Sequence, residues 1–177
     1  MRIGVYGGSF DPPHVGHAMV CGWLLWTDLV DGVLLVPTFR HAFDKPLRPF
    51  DERVRLCAAL AADVDTRISV EPIERDLPTP SYTLRTLRAL RAQRPDDLLR
   101  LVVGADVLGQ SEHWHRWDEV LREFAPIVVG RGGFTPVEGA PTFPEVSSTE
   151  VRRRLAEGLP VRHLLTSGVS ALLTVAR

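Results

Sequence analysis

Short apolar runs alternate with longer segments of helical period along the whole chain, and that alternation leaves few folds open. Ile3 to Tyr6, Gly32 to Val36, Arg67 to Val70, Leu99 to Val103 and Pro126 to Val129 read as strands. Helical patterns fall between them, from about Val15 to Leu29, from Pro49 to Ala62, from a Ser81 cap to Gln93, and from Trp117 to Phe124. Gly130 to Pro144 is dense in glycine and proline and reads as loop. Ser147-Ser148-Thr149-Glu150 matches a capping box ahead of a further helix, and one or two short helices finish the chain. Strands separated by helices predict an α/β fold, a single doubly wound (Rossmann-like) domain over residues 1–177 with a mainly parallel, five- to six-stranded sheet. In such sheets ligands bind beyond the carboxyl ends of the strands, so the informative residues should stand just after strands.

Charge narrows the partners. Twenty-one Lys and Arg nearly cancel 22 Asp and Glu, which argues against a chain that coats nucleic acid or an anionic membrane. No apolar run reaches the ~18 residues of a membrane span. The only cysteines, Cys21 and Cys57, have neither disulfide-framework nor zinc spacing, and the segment Met1 to Tyr6 reaches glycine too soon for a signal-peptide apolar region. A cytoplasmic protein is expected.

The first strand runs into Gly7 and Gly8, where a phosphate can approach backbone amides without a Cβ in the way. The helix after Pro13 aims its N-terminal N–H groups and positive dipole end at the same place. His14 and His17 stand three apart in its first turn, so both imidazoles can serve phosphate oxygens, with Gly16 leaving room for a nucleotide. The same pair could be surface residues or metal ligands; no third ligand stands nearby, so no metal site is expected. There is no Walker sequence, and no GxGxxG follows the strand.

Taken whole, Gly7-Gly8-Ser9-Phe10-Asp11-Pro12-Pro13-His14-Val15-Gly16-His17 resembles the GG(S/T)FDPxHxGH signature of bacterial nicotinate-nucleotide adenylyltransferases, within the HxGH nucleotidyltransferase superfamily. Ser147-Ser148-Thr149-Glu150-Val151-Arg152 is similar to that superfamily's SSTxxR. Pro80-Ser81-Tyr82-Thr83, Val103-Gly104-Ala105-Asp106 and Trp114 look like the family's PSYT, GxD and pyridine-stacking aromatic.

The resemblance implies transfer of AMP from ATP to nicotinate mononucleotide, with Mg²⁺ travelling with ATP. It implies catalytic roles for His14, His17 and Arg152, and ATP binding by Gly7, Gly8, Ser9, Phe10, Lys45, Asp106, Ser148 and Thr149. It implies acceptor binding by Ser81, Tyr82, Thr83 and Trp114, with Trp117 left to the core. Nicotinamide mononucleotide or phosphopantetheine as acceptor, or a non-catalytic nucleotide-binding relative, are the alternatives, and a homo-oligomer stays open.

Two regions depart from the family. Its PPHK-like loop is replaced by Phe39-Arg40-His41-Ala42-Phe43-Asp44-Lys45, where Arg40, Lys45 and Arg48 could equally form a solvated loop. Leu164-Leu165-Thr166 stands where the family usually reads LLP.

Overall fold

Gly32 to Pro37 is buried along its whole length, and its side chains alternate between two cores, so the sheet is covered on both faces. A computed structural model describes residues 1–40, 46–105, 114–132 and 139–175. The strands are β1 Arg2–Gly8, β2 Gly32–Pro37, β3 Ile68–Val70, β4 Leu98–Gly104, β5 Ile127–Arg131 and β6 Thr142–Phe143. They form one six-stranded sheet in the order β3-β2-β1-β4-β5-β6, with every neighbouring pair parallel. The helices are α1 Val15–Trp26, α2 Phe50–Val64, α3 Thr83–Gln93, α4 Trp117–Phe124, α5 Ser148–Ala156 and α6 Ser167–Val175. Two 3₁₀ turns, Ile73–Asp76 and Arg162–Leu164, complete the described structure.

Val33 and Leu35 of β2 join Leu24 of α1, Leu60 of α2, Val151 of α5 and Val169 of α6 in one core. Leu34 and Val36 face the other way, onto Leu87 and Leu90 of α3 and onto Val120 and Phe124 of α4. Leu84, Leu87 and Leu90 are all buried, as their spacing in the sequence requires. Among the described residues no helix is long and apolar enough to cross a membrane.

The sheet pairs β1 with both β2 and β4, so successive crossovers leave β1 in opposite directions and open a crevice at their carboxyl ends.

Several boundaries differ from the sequence reading. Gly7 and Gly8 belong to β1, because the ladder continues to Gly7 beside Val36 and Gly8 beside Pro37. Thr38 N–H then donates to the Gly8 carbonyl at 2.9 Å. The helix expected to start from a Ser81 cap has Tyr82 at its N-cap, and the Ser81 hydroxyl instead accepts from Arg40 N–H at 3.3 Å. Part of the stretch read as loop is strand: Gly130 N–H donates to the Pro141 carbonyl at 2.7 Å and Gly132 N–H to the Phe143 carbonyl at 2.8 Å. A two-residue strand between prolines is too short to show a period.

The expected capping box is half made. Ser147 Oγ accepts from Glu150 N–H at 3.1 Å. The Glu150 carboxylate turns to Arg153 and Arg154, which hold its pKa down at about 2, the side-chain bond from Arg153 contributing most.

One core position of α2 is an arginine. Arg53 follows the spacing of Leu56, Cys57 and Leu60 and is only 1% exposed. Its Nε donates to the Arg48 carbonyl at 3.0 Å and its NH1 to the Ser9 carbonyl at 2.8 Å. Burial lowers its pKa, partly countered by Asp11, Cys57 and Glu74. An Arg53→Ala change leaves two inward carbonyls without donors and should destabilise the protein by about 3 kcal/mol. Urea unfolding of the two proteins checks this; a loss below about 1 kcal/mol would show that the bridge is dispensable.

Candidate active site

At the carboxyl ends of β1, β2 and β4 lies a cavity of about 540 Å³. Gly7, Gly8 and Ser9 form one wall and Gly104 ends another. Across from them stand Ser81, Tyr82 and Thr83 at the start of α3, with Trp114 and His115 ahead of α4. The four residues expected at an acceptor pocket, Ser81, Tyr82, Thr83 and Trp114, therefore meet in one place with the glycine end of β1.

α1 and α3 carry no acid in their first turns, and neither does α6, whereas α2, α4 and α5 do. The N–H groups and positive dipole ends of α1 and α3 are thus left uncompensated, the arrangement that suits phosphate and carboxylate groups.

The two histidines meet differently from the way their spacing suggests. His14 precedes the helix as its N-cap, with extended backbone at φ −143°, and His17 is the third helical residue. They cap each other: His14 N–H donates to His17 Nδ1 at 3.1 Å, and the rings lie 3.8 Å apart with a 30° tilt. Because Nδ1 of His17 accepts, a neutral His17 carries its proton on Nε2, which makes that atom a donor. Its ring packs against Phe10 and Tyr6 at 4.9 Å and 5.8 Å between centroids.

Gly16 serves this pair directly. A Cβ there would meet the His14 ring at 3.0 Å, so the glycine makes room for the imidazole.

Phe10 is 2% exposed and sits in the core with φ +47°, beneath Gly8. Its side chain shapes the loop from below, so only its backbone is left for a nucleotide.

Ser148 and Arg152 come to the same loop from α5. Ser148 Oγ donates to the Pro12 carbonyl at 2.9 Å, and Arg152 NH1 donates to the Asp11 carbonyl at 2.5 Å. Arg152 NH2 reaches Thr149 Oγ1 at 3.3 Å. Residues far apart in the chain thereby gather beside His14 and His17.

Trp114 is partly buried and does two things. It lines the cavity, and it meets Trp117 edge to face at 5.3 Å against the second core. The Tyr82 ring is stacked on His115 at 4.5 Å, with the Arg85 guanidinium 5.3 Å from its centroid. Lys45 and Asp106 lie outside the described residues.

Sequence reading gave Glu74 and Arg53 no place in this region, quoted Asp11 only within the Gly7–His17 segment, and left Arg48 with residues that could form a solvated loop. Glu74, 8% exposed, accepts from Phe39 N–H and from the Thr86 hydroxyl, both at 2.9 Å, and lines the cavity. It ties the loop after β2 to α3. The available signal was an arginine on the apolar stripe of α2 and an aspartate inside the glycine motif. Cys21 and Cys57 are both buried in the core, and burial raises both thiol pKa values, that of Cys21 to about 12, so neither is an available nucleophile.

A family model described as cytidylyltransferase-like matches residues 5–154. A protein named "Probable nicotinate-nucleotide adenylyltransferase" from Anaeromyxobacter sp. (strain K) is 47% identical over 171 residues, 95% of this chain and 91% of that one. One of the same name from Thermus thermophilus is 40% identical over 178 residues, 96% of this chain and 94% of that one. The solved structure of Plasmodium falciparum nicotinic acid mononucleotide adenylyltransferase complexed with NaAD superposes with a TM-score of 0.80. It covers 99% of this chain and 95% of that chain at 19% identity, a likeness of fold.

Proposed function

We propose, from the premise that this chain belongs to the nicotinate-nucleotide adenylyltransferase family of cytidylyltransferase-like proteins, that it transfers AMP from ATP to nicotinate mononucleotide. The products are deamido-NAD and pyrophosphate, a step of NAD biosynthesis. The observation that carries this reading is the shared cavity: the glycine end of β1 faces Tyr82, Thr83 and Trp114 across it. Residues 1–177 act in this reading as one nucleotidyltransferase domain. We place the reaction in the cytoplasm, where ATP is supplied and thiols such as Cys21 and Cys57 stay reduced.

A phosphate oxygen of the acceptor attacks the α-phosphorus of ATP. The new P–O bond forms as the bond from the α-phosphorus to the bridging oxygen breaks, and the electron pair leaves with pyrophosphate. A phosphate monoester is already anionic near neutral pH, since its second pKa is about 6, so no general base is needed. Catalysis then consists of holding two anions in line and stabilising charge on the leaving group.

Gly7, Gly8, Ser9 and the backbone of Phe10 receive the triphosphate with the start of α1. His17 donates from Nε2, and His14 stands beside it. Arg152 adds charge. Because the Ser148 hydroxyl is already given to Pro12, Ser148 acts through its backbone N–H, and Thr149 through its hydroxyl. Lys45 and Asp106 remain assigned to ATP. Mg²⁺ enters as MgATP, held by phosphate oxygens and water; among the described residues no cluster of three or more His, Cys, Asp or Glu could hold a metal.

On the acceptor side, the first-turn amides of α3 receive the carboxylate, with Ser81, Tyr82 and Thr83 framing it. The indole of Trp114 stacks on the pyridinium ring.

Three measurements test this. Pyrophosphate release with MgATP should be much faster with nicotinate mononucleotide than with nicotinamide mononucleotide or phosphopantetheine; preference for another acceptor would keep the chemistry and overturn the acceptor site. ATP binding without any turnover would leave a nucleotide-binding relative. His17→Ala should lower kcat by at least about 100-fold, the scale of one well-placed donor, and near-normal turnover would remove His17 from the mechanism. Trp114→Ala should raise the acceptor KM far more than the ATP KM, whereas equal rises in the two would contradict stacking.

A further inference from the structure

Three guanidinium groups converge on the loop from Ser9 to Pro12. Arg53 binds the Ser9 carbonyl, Arg152 binds the Asp11 carbonyl, and Arg48 NH1 binds the Asp11 carboxylate at 3.0 Å. The Arg48 backbone N–H also donates to Asp11 Oδ2 at 3.4 Å, and Arg152 NH1 stands 3.9 Å from the same oxygen. Among the described residues the carboxylates that bear on these cations include Asp11, whose side chain is 4% exposed, Glu52, 3.4 Å from Arg48 Nε, and Glu74, which acts on Arg53. The three guanidinium groups thus lie around the loop that runs into His14, His17 and α1.

The burial of Asp11 decides the geometry. A buried carboxylate without a partner is costly, so it holds whichever cation can reach it, and Arg48 supplies both a side-chain and a backbone donor. Arg48 is therefore fixed next to the glycine loop, although it stands in a segment whose basic residues could have been solvated. A guanidinium has five N–H donors in a rigid fork, so contacts to Asp11 through NH1 and to Glu52 through Nε still leave others to reach phosphate oxygens.

We propose that Arg48 is a further phosphate-binding residue for the triphosphate and its pyrophosphate product, and that Asp11 is the positioning residue that holds it there. This rests on the reading that ATP phosphates bind at the glycine end of β1. Asp11 is then neither a metal ligand nor a proton acceptor; it acts through Arg48.

The test is a double-mutant cycle read by inorganic pyrophosphate binding to the full chain in a titration calorimeter. Arg48→Gln should weaken pyrophosphate by at least about 10-fold in the otherwise unchanged protein, the scale of a lost charge-assisted bond. In an Asp11→Asn background the same change should cost less than about twofold, because Arg48 is no longer held. Equal losses in both backgrounds would overturn the positioning role, and no loss in either would overturn the binding role as well. A wild-type chain that fails to bind pyrophosphate would also overturn it.

If Asp11→Asn does not fold, Arg48→Lys decides. The proposal expects Lys to stay at least about threefold weaker than Arg, since it keeps the charge but lacks the fork. Full recovery by Lys would overturn it. Pyrophosphate binding needs no acceptor, so the outcome is separate from that of the acceptor assay. Turnover of nicotinate mononucleotide with Arg48-independent pyrophosphate binding defeats this proposal alone. Arg48-dependent binding without turnover defeats only the acceptor reading.

Discussion

The buried guanidinium of Arg53 is the interaction on which the rest of the site depends. It joins the Ser9 carbonyl, in the loop after β1, to the Arg48 carbonyl, just ahead of α2. Without it the loop would be tied to the start of α2 only through Asp11 and Arg48, and both carbonyls would face a core that offers no water. Because Arg53 grows from the inner face of α2, the loop inherits the rigidity of the packed helix.

From that anchor the site is assembled by carbonyl contacts more than by side-chain pairs. Ser9, Asp11 and Pro12 each give a backbone oxygen to a donor from elsewhere: Arg53, Arg152 and Ser148. Loop and late helix are thereby drawn together, and the positive ends of α1 and α3 are left open toward the same crevice. α1 and α3 carry no acid in their first turns, so neither positive end is cancelled by its own helix.

The acceptor side follows a different logic. Glu74 ties the loop after β2 to α3 through Phe39 and Thr86, and Tyr82, His115 and Trp114 make an aromatic wall against the second core. Trp114 and Trp117 were expected to divide ligand and core between them. Trp114 both lines the cavity and packs on Trp117, because a large ring at the rim of a core can bury one edge and show the other.

Sequence alone determined the α/β alternation, the two-sided burial of the central strands, the leucine face of α3 and the glycine–histidine segment at the end of β1. Each is written in local spacing, and local spacing is what periodicity and turn chemistry report. Tertiary structure decided what the gathered residues do for one another. It extended β1 through two glycines by pairing them with Val36 and Pro37, and it made a strand of Thr142 and Phe143 by offering them β5. It turned Phe10 into the core, gave Gly16 to the His14 ring, and joined Asp11 to Arg48 and Arg152. No spacing rule contains those contacts, because each depends on which distant backbone or charge arrives to satisfy a buried polar group.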